Sequence, residues 1–294
     1  MRLLAAFAAL VAGAAGIGWL VAGTLGAAIA GASALLAGGC LYRCAARCVL
    51  HLAGATPVAP DVAPGLHRLV ERLAAQSGTP DAAPRLYWLP GEAPNVLATG
   101  RDPAQAAIAL TPDLVTLLDH DELTGLLARE LACLARGDTR RGDIAAALAG
   151  GLMLIARWPD HSRHPGRSDE QDRIVAVRRS PGRQDVGTVS RLALASIAAG
   201  VVHAASSAES VHAADAAGAQ MLSDPLPLAR ALAKLAVANS TRPARVVNPG
   251  LAHQFVVAPY IEESLRPLFS TPPSSSARLQ RLTRQALQPL AYAG

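Results

Sequence analysis

From Leu3 to Leu41 the chain carries no charged side chain. A hydrocarbon core about 30 Å thick is crossed by roughly 20 helical residues, and this stretch is nearly twice that length. The expected solution is a hairpin of two transmembrane helices near residues 3–21 and 26–42, with the glycines and Thr24 of residues 23–26 at the turn. A cleaved signal peptide has a much shorter apolar region followed by a polar mature sequence, so that reading is excluded. Arg2 precedes the hairpin and Arg43 and Arg47 follow it. By the positive-inside rule both ends, and the main domain, are expected to face the cytoplasm. The predicted location is a bacterial-type inner membrane, with more than one pass.

Composition agrees with a chain that meets lipid. The hydrophobic fraction is 51% but aromatics make up only 3%, so Ala, Leu and Val must fill the interior, as suits close helix packing through small residues. The formal charge of +5 is almost wholly arginine, Lys234 being the sole lysine. No arginine run is interleaved with aromatics and no zinc-finger spacing occurs, which argues against nucleic acid and leaves the lipid bilayer as the expected counter-charge. Cys40, Cys44, Cys48 and Cys133 are too few and too clustered for a disulfide framework. The first three repeat every four residues along one helical face, which suits a metal stripe or S-acylation near the membrane, and they read first as small apolar packing residues.

Beyond a linker at 51–60, Asp61 is a candidate cap for a helix with Leu66, Leu69, Val70 and Leu73 on its apolar face. Brief apolar runs at 85–89, 95–99 and 106–110, punctuated by Pro-Gly and Gly-Arg-Asp, predict a small antiparallel sheet. Thr111-Pro112 opens a helix. Asp119 to Glu122 forms an acidic capping box before a helix with Leu123, Leu126, Leu127, Leu131 and Leu134 in register. Two further apolar stretches, 144–156 and 192–205, are short for membrane spans. They flank an arginine-rich loop at 157–191. The last third predicts two helices, a strand at 255–257, a proline-serine loop and a terminal helix. The expected division is a hairpin at 1–50, a core with the edge strand and the periodic helix at 51–143, the two short apolar segments and their loop at 144–206, and the rest of the core at 207–294.

Five ordered motifs carry a resemblance to the HtpX-type membrane zinc peptidases. Leu110 to Cys133 resembles the approach to that family's active helix, and Ala93-Pro94-Asn95-Val96-Leu97-Ala98-Thr99-Gly100-Arg101 its Pro-Asn-Ala-Phe-Ala-Thr-Gly edge-strand motif. Arg136-Gly137-Asp138-Thr139, Ala214 to Ala219, and the blocks Asn248 to Val257 and Leu268 to Thr271 resemble its later segments. The resemblance implies an α+β fold: a mainly helical gluzincin-like core with a small antiparallel sheet, behind the N-terminal transmembrane hairpin. It also implies that Asn95, Val96, Leu97, Ala98 and Thr99 form a peptide-binding edge.

The resemblance departs where the metal would sit. In the family two histidines four apart and a later glutamate hold zinc, and a glutamate between the histidines activates the bound water. The matching positions here are Arg129, Glu130, Cys133 and Val211. Arginine and valine offer no lone pair to a metal, so no metal and no cofactor are expected. Glu130 then reads as a structural carboxylate paired with Arg129, Arg136 or another arginine, and Asp138 and Asp215 as caps or ion-pair partners. The functional expectation is a catalytically inactive, HtpX-like pseudopeptidase acting as a protein-binding scaffold, with other membrane proteins or a membrane complex as partners. Two alternatives stand beside it. One is a divergent membrane zinc metalloendopeptidase with a rebuilt site using Cys133 and one of His120, His203 and His212. The other is an accessory structural subunit of a larger membrane complex.

Overall fold

A computed structural model describes residues 2–77, 83–163, 186–222, 224–241, 248–259, 266–269 and 273–291. The first element, α1 (Arg2–Leu52), is helical except at Ala22 (φ −142°, ψ 27°) and Gly23 (φ 59°, ψ −145°), where it is broken. The arms on either side fold back on each other. A methyl group added to Gly18 would strike Gly26, one on Gly38 would strike the Phe7 ring, and one on Gly31 would lie 3.6 Å from the Ala15 Cβ. Such pairs, symmetric about the break, define an antiparallel helical hairpin in which small residues let the backbones close up. The portion Val11–Leu52 is long and apolar enough to cross a membrane. The turn falls slightly before the expected 23–26, and the second arm continues past residue 42 to Leu52. Its last turns are not lipid-facing, because Ala45, Ala46, Val49 and Leu50 are buried.

Four strands follow: β1 (Thr56–Pro57), β2 (Arg85–Trp88), β3 (Val96–Thr99) and β4 (Ala107–Leu110), in the order β1-β2-β4-β3. The outer pairs are antiparallel, but β2 and β4 run parallel, which corrects the expectation of an antiparallel sheet. The reason lies in the side chains of β4. Ile108 and Leu110 face the main core while Ala107 and Ala109 pack against the base of α1 and Ala146. A strand apolar on both faces takes an inner position, so β4 enters between β2 and β3.

The helix α2 (Pro64–Gln76) buries Leu66, Leu69, Val70 and Leu73 as expected, but its N-cap is Ala63 rather than Asp61. Pro64 sets the first helical φ without needing a partner for a missing N–H. After α3 (Pro112–Leu117) comes α4 (His120–Arg136), opened by the capping box between Asp119 and Glu122 and closed by Gly137 in the left-handed conformation. Every residue from Gly125 to Cys133 is buried, so α4 is the central helix. Glu122, 1% exposed, accepts a hydrogen bond at 2.6 Å from Lys234, which joins α4 to the later helix that carries Lys234.

Around α4 lie α7 (Ala208–Met221), α8 (Leu226–Thr241) and α10 (Ser275–Ala291). The two short apolar stretches belong to α5 (Thr139–Arg163) and α6 (Val186–Ala205), which share a core of Ala149, Met153, Ala195, Ala198 and Val202 with Phe269 of α9 (Arg266–Phe269). Most of the arginine-rich loop, residues 164–185, lies outside the described residues. The expected strand at 255–257 reduces to a single bridge, Phe255 with Leu97.

Gly125 fixes how closely α8 approaches α4. A Cβ there would sit 2.9 Å from the Leu228 amide nitrogen and 3.2 Å from its Cα, whereas one on Gly200 would meet nothing within 4 Å. Gly125→Ala is therefore expected to cost about 1–3 kcal/mol through overpacking. Gly200→Ala should be neutral or stabilise by up to about 1 kcal/mol through helix propensity. Thermal melts of the two detergent-solubilised variants would separate them, and equal shifts would show that Gly125 does not set the spacing.

Candidate active site

A cavity of about 110 Å³ opens where α4, α7, the end of β3 and the start of α5 converge. Arg129, Glu130, Cys133 and Val211 all line it, together with Ala98. The four positions singled out on the helices are thus brought together, but the strand is only partly at the site. On its outer side Val96 accepts a hydrogen bond from the Val256 amide at 3.0 Å, and the Asn95 amide group donates to Val257 O at 2.8 Å. Asn95, Val96 and Leu97 are therefore engaged by the chain's own C-terminal segment. Of the predicted edge, the Ala98 end alone reaches the cavity.

Buried charge organises the cavity floor. The Arg129 guanidinium donates to Glu130 Oε1 at 2.5 Å and to Asp215 Oδ1 at 3.2 Å. From α10, Arg278 donates to both Asp215 oxygens, at 2.7 and 2.8 Å, and to Val256 O at 2.6 Å. Two cations and two carboxylates alternate in one chain. Burial alone would raise the Asp215 carboxyl, but the hydrogen bonds and charges of Arg278 and Arg129 outweigh it and hold it below the usual range. Burial likewise opposes charge on Arg129, and its anionic neighbours more than offset that, leaving it firmly cationic. Gly218 makes the arrangement fit, since a Cβ there would lie 2.5 Å from the Arg129 Cα.

Sequence reasoning named Arg129 among the partners for Glu130 and missed Arg278. The available signal was an arginine at 278 beside Leu279 and four before Leu282, on the stripe that α10 turns to the core. His253 and Gln254 were also missed as cavity-lining residues. The serines 206, 207 and 210 border the cavity, Ser207 as N-cap of α7.

Comparison with known proteins resolves the family. A profile of Peptidase family M48 matches residues 60–286. The chain belongs to Peptidase family M48. Its relatives include a protein named "Protease HtpX homolog" from Syntrophobacter fumaroxidans, 38% identical over 95% of this chain and 96% of its own length. Proteins of the same name from Pyrococcus furiosus and Persephonella marina are 37% and 35% identical, over 93% and 92% of this chain and 91% of their own lengths. No solved structure matches the chain. The expectation of an inactive scaffold is overturned here, because relatives that match this M48 chain nearly end to end carry the name of a protease.

An M48 peptidase is expected to hold zinc, and the residues at the expected place do not fit the ion. Arg129 brings only N–H donors and Val211 only methyl groups. Burial pushes the metal-free Cys133 thiol up to about 12, and as a ligand it would be one soft donor beside a guanidinium. Among the described residues no group of three His, Cys, Asp or Glu side chains is arranged to hold a metal ion. The histidines considered for a rebuilt site are dispersed. His120 begins α4, roughly two and a half turns before Arg129, and His203 bonds Leu268 O at 2.8 Å. The His212 Nδ1 is buried with no hydrogen-bond partner, and among the described residues it belongs to no set of three ligand side chains.

One further cluster of this M48 fold borders the cavity. Gly100, at φ 140°, ends β3 where a Cβ would lie 2.6 Å from the Ala106 Cα. Its amide donates to Asp143 Oδ2 at 2.8 Å and its carbonyl accepts from the Thr139 hydroxyl at 2.7 Å. Gln254 donates to the other Asp143 oxygen at 3.1 Å. Desolvation raises Asp143 to about 6 against these hydrogen bonds, and lowers His253 to about 4.

These two shifts predict opposing pH dependences. With a folded value near 6 and an unfolded one of 3.8, Asp143 binds its proton more tightly when folded, so its contribution to stability falls as pH rises from about 4 to about 6. With a folded value near 4 and an unfolded one of 6.5, His253 makes stability rise over nearly the same window. Each effect is on the order of 3 kcal/mol, and they nearly cancel. Melting temperatures at pH 4–6.5 should therefore be flat for the wild type, rise with pH in Asp143→Asn, and fall with pH in His253→Gln. Parallel profiles for all three proteins would refute the assignment.

Proposed function

We propose that this chain is a divergent membrane endopeptidase of the HtpX type, one that lacks the zinc ligand set and takes an extended polypeptide at the cavity beside α4. The observation that carries the reading is the nearly end-to-end similarity to proteins named as proteases, which spans the residues around the cavity. Peptide hydrolysis needs a group to take a proton from water and a positive charge near the developing oxyanion. Glu130 and Arg129 are adjacent at the cavity. Glu130 Oε1 is held by Arg129, while Oε2 has no hydrogen-bond partner among the described residues. In this reading Oε2 takes a proton from water as the water oxygen adds to the peptide carbonyl, the Arg129 guanidinium faces the oxyanion, and Glu130 returns the proton to the amine as the C–N bond breaks. The Ala98 end of β3 would align the substrate backbone by strand pairing.

The hairpin in α1 supports a membrane location, with both arms crossing and the peptidase domain on the side of Arg43 and Arg47. Reporter domains fused after residue 60 and near residue 24 are expected to lie on opposite sides of the membrane. Equal accessibility of both would remove the two-span topology.

The activity is tested on the full chain in mild detergent with unfolded casein. The wild type is expected to cleave it, and Glu130→Gln to reduce the rate by about 10²-fold or more. Two results would sink the reading. One is an inert wild type under conditions where a curated relative cleaves casein, and the other is a folded Glu130→Gln variant as fast as the wild type.

A further inference from the structure

We infer that the Arg129 guanidinium is the resident cation of this M48 site, standing where a divalent ion would be held and making both the fold and the chemistry of the cavity independent of metal. The inference takes the location of the site from the peptidase reading, but its decisive measurements are not activities.

Geometry supports the assignment. Arg129 lies at the cavity, 7% exposed, and its Nη1 and Nε reach two carboxylates on different helices, Glu130 on α4 and Asp215 on α7. Bridging anionic side chains from neighbouring helices is what a bound cation does in a folded core, and here a covalently attached one does it. A guanidinium offers five N–H donors in a fixed plane and does not lose its proton. The bridging charge therefore cannot dissociate, exchange or be chelated.

Charge balance points the same way. Asp215 is shared between Arg129 and Arg278, and Glu130 is paired with Arg129, so two cations meet two anions. A divalent ion added beside Glu130 and Cys133 would meet the Arg129 charge at close range, while Glu130 is already paired with that guanidinium and the other lining carboxylate, Asp138, is paired with Arg136. Like charges in a partly desolvated cavity repel strongly. The Arg129 Nη2 group, which makes no hydrogen bond among the described residues, is the donor left for a substrate oxygen.

The test uses the full chain, purified in mild detergent without chelator. Zinc measured by mass spectrometry, before and after soaking in zinc chloride and gel filtration, is expected to stay far below one ion per chain. The melting temperature is expected to be unchanged by EDTA. Arg129→Met should lower it by roughly 10 °C, because it leaves a buried carboxylate unpaired. Arg129→Lys should lower it less, and Arg129→Met combined with Glu130→Gln should recover part of the loss. One retained zinc per chain, a melt that drops on chelation, or an Arg129→Met variant as stable as the wild type would each overturn the inference. If Arg129→Met does not fold, the wild-type zinc content and chelator melt decide alone. Casein cleavage, where present, should survive EDTA, and its loss on chelation would also overturn the inference. A wild type that is metal-free, insensitive to chelation and inert toward casein would end the peptidase reading and leave this one standing.

Discussion

Arg129 is wedged between Glu130 and Asp215 at 7% exposure, and the interior of the molecule is arranged around that pairing. An unpaired charge in such a place is strongly destabilising, and a paired one is tolerated only with good geometry and its remaining hydrogen bonds satisfied. Three helices and one loop answer that demand together. α4 carries Arg129 and Glu130, α7 carries Asp215, and α10 sends in Arg278, which also holds the Val256 carbonyl. The last helix is thus positioned by directional bonds, while Leu282 supplies the apolar contact beneath it. Gly218 is required because the backbone of α7 must pass against the backbone of Arg129.

A second fixed point lies near the other end of α4. Glu122 is buried to 1% exposure and is held by Lys234, with Arg230 at 3.7 Å. Between the two points the helix is filled with Leu, Ala and Gly, apart from the half-buried Thr124. Apolar packing sets how closely the neighbours approach but leaves rotation and sliding less constrained, since small side chains interlock poorly. Charged pairs at both ends remove that freedom. A chain so poor in aromatic residues gains a single arrangement of its central helix in this way.

Much of the architecture could be read from the residues because local rules agreed with the tertiary outcome. The capping box at Asp119, the apolar face of α2 and the glycine-bearing turn of the hairpin each depend on neighbours within a few positions. Strand direction was not legible in that way. Ala107 to Leu110 has no alternation to reveal which face is buried, because both are, and its parallel pairing with β2 comes with its insertion between β2 and β3. At the site, Arg129 beside Glu130 was visible as a charge pair, whereas Arg278 is 63 positions from Asp215 in sequence and meets it only in the fold. The edge strand was overstated for the same reason. Nothing local in Asn95 to Leu97 shows that Phe255 and Val256 return to cover it.

The base of α1 sets where the cavity sits relative to the hairpin. Val49 and Leu50 are packed with Leu97, Ala107 and Ala146, and the Tyr42 ring lies between Arg101 at 5.1 Å and Arg140 at 4.8 Å. The helix is continuous from the charge-free stretch into the folded domain, so residues 41–52 act as a ruler of roughly 16 Å at 1.5 Å per residue. A domain hung on a flexible leash samples every height and tilt. This one is mounted on a rigid post and presents its cavity at a single standoff from the apolar hairpin, a height set by helix pitch.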